Sequence, residues 1–563
     1  MKRFTHVLPA IPLAVAAMQI ILLSTGGADP FKDDAYICLR YAHNLVSGMG
    51  LVFNPGERAE GFTTPLWTLL SAALLAIKAS PVTALKSAGA IAFFGLVWTT
   101  WIATRDILSK PLRLVPPLTV AATGAIAYWA LSGLETVAFS LAVMAGIYHF
   151  VQAARTGARG TMAGGTWFGV AILLRPEAIA WFLLLVLALW LWPFVTRKDN
   201  SLATPDRPMR RWWDPQALRP LWSTVLPAFL LAGAWQVFRL SYYGEWLPNT
   251  FHAKVEWQFY VLGRGLHYLA RASVATPLAV FFALVLGTRS AWRRPEVAFP
   301  ALVAGFHLLY LVLIGGDYMV HARFVVPILA PLALAWGAAI DQWLRPPSST
   351  SSATPEPNGI QGARSHPFTP RHALLAFATI AAIGTGLIPY VQAPGVRDPD
   401  PHLTRYRKAG HWIKQYLKPS ALVATPAIGA IGYLGETRIL DTLGIVDRYL
   451  AHKTPDIQNL RARAGHARGD GAYVLKRAPD IILLANVWVR PVPLEPRQVA
   501  ANPQTLTLTD RLLFGMPEFL ERYEIVSYPM PGDEWFGMAV RRDSPYHPDS
   551  PQWTGPAPQF RSH

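Results

Sequence analysis

Long apolar runs recur along most of the chain, and they restrict its possible folds more than any other feature. Runs of about 18 or more mostly apolar residues are typical of helices that cross a membrane, and short polar or basic connections separate them here. With 52% hydrophobic and 15% charged residues, the chain is too apolar for a soluble domain. The sequence therefore predicts a polytopic α-helical membrane protein.

The basic residues predict how the chain is oriented. A net charge of +17 could indicate nucleic acid, but many of the basic residues lie in loops between apolar runs, where positive charge marks the cytoplasmic side. We therefore expect no nucleic-acid partner and a cytoplasmic amino terminus. Cytoplasmic loops are then predicted around 105–113, 155–159, 197–219 and 289–294. The segments predicted outside are 32–61, 132–136, 175–177, 242–257, 315–323 and everything after about 390.

About eleven transmembrane helices follow from the apolar runs. The orientation allows one net crossing from 64–77 and 84–103 together, so one of these is expected to be re-entrant or interfacial. The run at 167–174 is too short to span about 30 Å of hydrocarbon, so it should end at a cavity or be packed within the protein. The other predicted crossings are 7–23, 114–131, 137–152, 179–195, 221–240, 274–286, 299–314, 324–343 and 373–390.

Composition divides the chain into regions. We expect a transmembrane domain at 1–392, with a catalytic outer loop at 29–61 and a flexible, Pro- and Ser-rich cytoplasmic linker at 345–371. Strand-like runs alternate with helical stretches at 393–542, which predicts an extracytoplasmic α/β domain. The Pro- and Ser-rich tail, 543–563, is predicted to be disordered. The single cysteine, Cys38, excludes internal disulfides.

Two adjacent carboxylates, Asp33 and Asp34, follow the first membrane run closely. Carboxylates can accept the proton of an acceptor hydroxyl, and they can hold a divalent cation such as Mg²⁺, Mn²⁺ or Ca²⁺. A helix cap is the competing interpretation. Farther along the first outer loop, Glu60 and Thr63 are candidates for hydrogen bonds to a sugar, next to aromatic residues typical of a membrane interface.

Ionisable residues also interrupt the later apolar runs. Glu135 lies in a short turn, and Arg175 and Glu177 break another stretch. Such groups are functional candidates because they are costly in a membrane, although a mutually compensating ion pair would explain them equally well.

Basic residues near two later outer loops are candidates for binding phosphate. Arg323 and Lys254 could bind it, the first through its planar fork and the second as a point charge, or they could simply reach to the interface. Several outer loops bring polar groups to the same side, which favours a binding site. The remaining substrate-binding candidates are Asn249, His252, Asp317 and His321.

Several motifs together resemble the bacterial GT-C membrane glycosyltransferases related to mycobacterial terminal arabinofuranosyltransferases. They are Asp33-Asp34 with Arg40-Tyr41-Ala42, Phe53-Asn54-Pro55-Gly56-Glu57-Arg58, Leu247-Pro248-Asn249-Thr250, Gly315-Gly316-Asp317 with Arg323-Phe324, and Asp441-Thr442-Leu443-Gly444.

The resemblance implies a decaprenyl-phosphoryl-arabinofuranose type of donor and an essential acidic motif at Asp33 and Asp34. It also implies transfer on the periplasmic face of the bacterial cytoplasmic (inner) membrane. The expected partners are the polyprenyl-phosphate sugar, a glycan or glycoprotein acceptor and membrane lipid, with no cofactor besides a divalent cation. A polyprenyl phosphate lying between membrane helices would have its phosphate held by Arg323, Lys254 or Arg175. A transporter or flippase for a lipid-linked sugar would use the same charges as a pathway, and a catalytically inactive scaffold is a third possibility.

Overall fold

The computed structural model describes residues 9–26, 29–196, 215–254, 259–287, 289–344, 384, 401–454, 468–495 and 506–561. Up to residue 344 the described chain is helical. In chain order, the helices are α1 Ala10–Thr25, α2 Asp33–Val46, α3 Pro65–Ala76, α4 Pro81–Ile107, α5 Val115–Ala122, α6 Gly124–Ala130, α7 Thr136–Arg155, α8 Met162–Leu174, α9 Ala178–Thr196, α10 Pro215–Tyr242, α11 Asn249–Lys254, α12 Phe259–Ala275, α13 Leu278–Gly287, α14 Pro295–Ile314 and α15 Val326–Leu344.

Within the described ranges, four helices are long and apolar enough to cross a membrane by themselves. They are Pro81–Ile107, Thr136–Arg155, Pro220–Tyr242 and Pro295–Ile314. The structure also settles which half of the 64–103 region can span. α3 has 12 residues and is about 18 Å long, whereas α4 has 27 residues and reaches about 40 Å. α3 is therefore the segment that cannot cross alone.

Ten of the eleven predicted crossings coincide with described helices, although several of these helices are interrupted or short. The run predicted at 274–286 contains α13, whose 10 residues reach only about 15 Å. The predicted run at 114–131 forms two helices, because Thr123 has extended backbone between α5 and α6. α8 begins at Met162, so its 13 residues are still too few to cross about 30 Å. The linker at 345–371 lies outside the described residues, as do most of the basic loop at 197–219 and all but one residue of the last predicted crossing, 373–390.

The C-terminal region contains a mixed seven-stranded sheet in the order β2-β1-β3-β6-β5-β7, with β4 also paired to β6. β1 is parallel to β2 and β3, and the remaining pairs are antiparallel. The strands are β1 Leu422–Thr425, β2 Arg438–Asp441, β3 Ile481–Ile482, β4 Trp488–Arg490, β5 Tyr523–Met530, β6 Glu534–Arg541 and β7 Phe560–Arg561. The helices are α16 Pro401–Tyr416, α17 Gly429–Gly435, α18 Arg448–His452, α19 Gly471–Arg477, α20 Leu508–Phe514 and α21 Pro517–Arg522.

Aromatic packing fixes α16 on the sheet, and α17 connects it to the membrane helices. Trp412 of α16 contacts the rings of Tyr528 on β5 and Phe536 on β6, with centroids 5.0 and 5.2 Å away. α17 packs against both α16 and α2. The α/β region therefore touches the helix that begins with the two aspartates.

The tail predicted to be disordered is instead part of the sheet. β7 pairs with β5, joining Arg561 to Val526 and Phe560 to Ser527 in register. Arg561 also donates to the buried Glu524 at 2.7 and 2.8 Å. The Pro- and Ser-rich composition concealed this, because a few residues hold the tail: besides Arg561, Tyr546 and His547 are buried, and Trp553 packs against Trp412.

Replacing Arg561 by Ala should lower the free energy of unfolding of this region by about 1–2 kcal/mol, since Glu524 would lose a bidentate partner while keeping His547. Thermal unfolding of the purified chain measures this. Arg522→Ala, which removes an exposed pair with Glu518, is the matched control and should change stability by less than about 0.5 kcal/mol. Equal effects of the two changes would contradict a packed tail.

Candidate active site

Five predicted outer loops converge at the end of the helix bundle that carries the α/β region. The backbone of Lys32 donates to Ser132, and that of Asn249 donates to Glu60, at 3.0 Å in each case. Trp67 donates its indole N–H to Gly133 at 2.9 Å. Gly133 has a φ of 77°, and a Cβ there would lie 2.3 Å from the Phe31 ring. These contacts bring the acidic loop onto the turn that contains Glu135.

Asp33 caps a helix of the α/β region. Its two carboxylate oxygens accept the backbone N–H groups of Ala430 at 2.7 Å and Gly429 at 3.2 Å. The approach requires glycine at 429, because a Cβ there would lie 2.1 Å from the Asp33 carbonyl oxygen. The cap interpretation left open from the sequence therefore applies to Asp33, although the helix it caps is α17, 396 residues away.

Asp34 lies near Arg323 instead. Its Oδ2 lies 3.9 Å from Arg323 Nη1, while Arg323 Nε donates to Asp317 at 2.7 Å. The Asp34 side chain is 29% exposed, against 12% for Arg323. Asp34 thus offers a partly accessible carboxylate beside a buried, fixed guanidinium.

A second arginine stacks on the same aromatic ring. The guanidinium carbons of Arg175 and Arg323 lie 4.7 and 4.6 Å from the centroid of Phe324. Arg175 also donates to Glu177 at 2.6 Å and approaches Glu135 at 3.4 Å. The compensating ion pair expected as one alternative is therefore present. It also fixes two guanidiniums around one phenyl ring, an arrangement suited to a phosphate.

The loop that carries Arg323 has an unusual backbone. Gly315 and Gly316 have φ values of 79° and 68°, and the non-glycine residues His321 and Ala322 have values of 56° and 50°. Left-handed backbone at such residues costs about 1–3 kcal/mol each and concentrates at functional sites. Phe324 is held in place because its N–H donates to the Tyr268 hydroxyl at 3.0 Å and its carbonyl contacts His307 at 2.6 Å.

His321 lies against aromatic residues that the sequence did not single out. Its ring centroid is 4.3 Å from that of Tyr128, which also has Lys32 Nζ 5.2 Å from its centroid. Burial, with Lys32 nearby, lowers the pKa of His321 to about 4, so the ring is neutral at pH 7. Trp129 donates to the His321 carbonyl at 3.0 Å. A Tyr-Trp pair in an apolar run looks like ordinary core, so its position at this site could be recognised only in the fold.

Other predicted site residues join the loops to one another and to the α/β region. Glu60 is buried in an ion pair with Arg239, at 2.5 Å, and accepts from Trp235. Thr63 lies in the same segment and is half-buried. The Asn249 amide donates to Gly444 and Ile445, both at 2.9 Å. Glu60 therefore joins the first outer loop to α10, and Asn249 joins α11 to the α/β region.

His252 and Lys254 belong to a different cluster. Both lie on α11, which packs against α18 of the α/β region, and the His252 ring stacks on His452 with centroids 4.2 Å apart. Lys254 is exposed at the end of α11. The structure therefore brings Asp34, Glu135, Arg175, Asp317, His321 and Arg323 into one site and places His252 and Lys254 in another.

The surroundings of the two aspartates do not suit a metal ion. Asp33 already accepts two backbone N–H groups, and Asp34 lies beside the positive charge of Arg323. In the described part of the chain, three or more metal-ligating side chains meet in two places, at Glu245, His252 and His452 and at Glu524, His547 and Asp549. Neither place includes the aspartate pair.

Asp441 shapes the α/β loop that receives Asn249. Burial raises the pKa of Asp441 to about 6, although the carboxylate accepts from the N–H groups of Val446 and Leu443. Because the folded pKa exceeds the unfolded value of 3.8, the folded state holds the proton more tightly, and the resulting stability is lost as pH rises from about 4 to 6.

Between pH 4 and 6, Asp441→Asn should therefore lose less stability per pH unit than the native chain, or gain more, whatever the offset between the two curves. Melting temperatures at pH 4, 5, 6 and 7 measure the slopes. Parallel curves for Asp441→Asn and the native chain would contradict the assignment.

Comparison with known proteins identifies relatives over both parts of the chain. A family model described as a domain of unknown function, DUF8728, matches residues 397–536. Terminal beta-(1->2)-arabinofuranosyltransferase of Corynebacterium glutamicum is 27% identical over 353 residues, covering 54% of this chain and 47% of the relative. The Mycobacterium tuberculosis protein of the same name is 26% identical over 381 residues, covering 55% of each. The chain thus spans about half the length of the curated relatives that it matches.

Two solved structures share the overall architecture. ArnT from Cupriavidus metallidurans bound to undecaprenyl phosphate superposes with a TM-score of 0.51 at 12% identity, covering 96% of this chain and 99% of that one. The Archaeoglobus fulgidus oligosaccharyltransferase tethered to an acceptor peptide gives a TM-score of 0.50 at 11% identity, covering 94% and 74%. The fold class and the resemblance predicted from the motifs are confirmed. The chain is a polytopic membrane protein with the GT-C glycosyltransferase fold and a sequence relative of the terminal arabinofuranosyltransferases.

Proposed function

We propose that this protein is a membrane glycosyltransferase that transfers a sugar, arabinofuranose by kinship, from a polyprenyl-phosphate donor to a cell-envelope glycan or surface protein. The observation that carries the proposal is the position of Asp34, 3.9 Å from the buried Arg323, beside a second guanidinium on the same phenyl ring. A base and a phosphate-binding pair then stand together at one end of the membrane helices.

In the proposed reaction, Asp34 accepts the proton of the acceptor hydroxyl as that oxygen bonds to the anomeric carbon. The bond between the anomeric carbon and the phosphate oxygen breaks, and the phosphate leaves with the bonding electrons. Arg323 and Arg175 stabilise this growing negative charge through fixed hydrogen-bond donors. Holding donor and acceptor together accounts for much of the remaining rate.

The other members of the site position these groups. Asp317 and Glu177 hold the two arginines by hydrogen bonds of 2.7 and 2.6 Å, and Asp33 fixes the start of α2. Glu135, His321 and Asp317 are proposed to contact the sugar. Glu60, Thr63 and Asn249 are proposed to keep the loops in place around the substrates.

The lipid tail has a candidate groove between α3, α8 and α10. Its lining includes Leu66, Leu69, Leu173, Leu230 and Trp235. Leu173 lies two residues before Arg175, so a tail in this groove would bring its phosphate towards the arginines. The active site would then face the periplasm from the bacterial cytoplasmic membrane, in agreement with basic loops at the other end of the helices.

An assay of the purified chain with a polyprenyl-phosphoryl arabinofuranose and a panel of arabinan and mannan acceptors tests this function. We expect radiolabel to pass from lipid to glycan. Vesicles containing the protein and labelled donor provide the second arm. Movement of labelled lipid across the bilayer without any transfer would support a flippase and overturn the proposal, and inactivity in both arms would support a scaffold.

A further inference from the structure

Two histidines and a carboxylate meet where the membrane helices contact the α/β region. His252 lies on α11, His452 is the last residue of α18, and Glu245 lies in the loop after α10. One ligating atom from each residue falls within 4.8 Å of the other two. The mechanism proposed above uses none of these three side chains as a reacting group.

The donor set is that of a zinc site. Imidazole nitrogen and carboxylate oxygen bind Zn²⁺ at about 2.0–2.2 Å, and two histidines with one glutamate leave a fourth position for water. Ligand atoms around a tetrahedral zinc lie about 3.3 Å apart, so the three groups need to close by roughly 1–1.5 Å. Side-chain rotation can supply this, because His452 is exposed and the other two are half-buried.

Arginines around the cluster hold its backbone and its carboxylate in place. Arg448 Nε forms an ion pair with Glu245, 3.1 Å from Oε1, and a carboxylate has lone pairs on both oxygens with which it can also bind a cation. Arg468 donates to the carbonyls of Ala253 and Lys453, the residues that follow His252 and His452 in the chain. Such outer contacts commonly orient metal ligands. Here one guanidinium fixes both histidine-bearing segments at once.

The other candidate cluster, at Glu524, His547 and Asp549, differs in an important respect. Arg561 donates to both oxygens of Glu524 and to both oxygens of Asp549. All four carboxylate oxygens of this cluster therefore already accept hydrogen bonds from one guanidinium, a denser pairing than the single ion-pair distance of 3.1 Å between Arg448 and Glu245. The comparison favours the first cluster as the one that binds a cation.

We propose that Glu245, His252 and His452 bind a divalent transition-metal ion, with zinc best matching the donors, and that this ion fastens the α/β region to the connection between α10 and α11. The site is structural, and it goes beyond the proposed transfer reaction. Its ligands come from segments about 200 residues apart in sequence, so the ion would act as a cross-link between two parts of the fold.

Metal content of the full chain tests the proposal. The purified protein is treated with chelator, loaded with Zn²⁺, desalted and analysed by plasma mass spectrometry. We expect one zinc per chain, falling to near zero in His252→Gln and His452→Gln. His411→Gln, an exposed histidine on α16, and His547→Gln, in the second cluster, should both retain the metal.

Two measurements on the native chain do not depend on the folding of any variant. Co²⁺ loading should produce the visible absorption of a tetrahedral nitrogen- and oxygen-ligated site, and Zn²⁺ at 100 times its dissociation constant should raise the melting temperature by about 3 °C or more. Absence of retained zinc and of the cobalt spectrum would overturn the proposal. Loss of zinc in His547→Gln but not in His452→Gln would overturn it as well.

Discussion

Asp34→Asn is expected to reduce sugar transfer by about 10²–10⁴-fold while leaving the fold intact, because it removes the proposed proton acceptor but keeps the size of the side chain. Within the described part of the chain the Asp34 carboxylate accepts no backbone N–H, and its distance to Arg323, 3.9 Å, is longer than a hydrogen bond. The initial rate of transfer from labelled donor measures the effect, and the melting temperature of the same preparation reports the fold.

Asp33→Asn distinguishes the role of Asp33 from that of Asp34. An amide oxygen can accept one of the two N–H groups that Asp33 binds, but its NH₂ would then face the other, so this change should lower the melting temperature as well as activity. Asp533→Asn, in the exposed turn between β5 and β6 with a φ of 54°, is the matched control and should leave both properties unchanged. A native rate of sugar transfer in Asp34→Asn would exclude Asp34 as the base.

Arg323→Lys is expected to cost about 10²–10³-fold in transfer even though the positive charge is conserved. Lysine cannot reproduce the planar fork that now binds Asp317 at 2.7 Å and stacks 4.6 Å from the centre of Phe324. The amine would then approach a phosphate as a point charge of undefined direction. The rate at saturating donor should fall along with the apparent affinity.

Arg155→Lys, at the other end of the helix bundle on α7, is the control for an arginine-to-lysine change and should transfer at the native rate. Arg175→Lys should resemble Arg323→Lys, because both guanidiniums stack on Phe324. If Arg323→Lys kept the native rate at limiting donor, Arg323 would not be a phosphate ligand.

The membrane helices were largely predictable because hydropathy is a local property of the sequence. The short length of α8 was predicted from the length of its apolar run, and its end at Arg175 from the charged residues Arg175 and Glu177. The break at Thr123 was not, because the run remains apolar on both sides. There the Thr123 hydroxyl donates to the Thr119 carbonyl at 2.7 Å while the backbone turns extended, and hydropathy does not report such contacts.

The division of labour within the site could not be predicted, because it depends on residues far apart in sequence. Nothing local distinguishes Asp33 from Asp34, and only the position of Gly429 reveals that one of them is a cap. From the sequence, Glu60 is a candidate sugar ligand, and only the fold shows its ion pair with Arg239, 179 residues later. The contact of two arginines with the Phe324 ring could likewise not be predicted, because a phenylalanine at the start of an apolar run is expected at any membrane boundary.

Because Asp33 caps α17, the site around α2 can be completed only late in the synthesis of the chain. The acceptor Asp33 and the donor Gly429 are separated by 396 residues, so a ribosome adding about 5–20 residues per second needs roughly 20–80 s to produce the second after the first. The early helices can enter the membrane during that interval, but Asp33 in the first turn of α2 cannot form its hydrogen bonds with α17 until α17 has been made. The site around α2 is therefore completed late in biogenesis, once the chain beyond α17 has emerged from the ribosome.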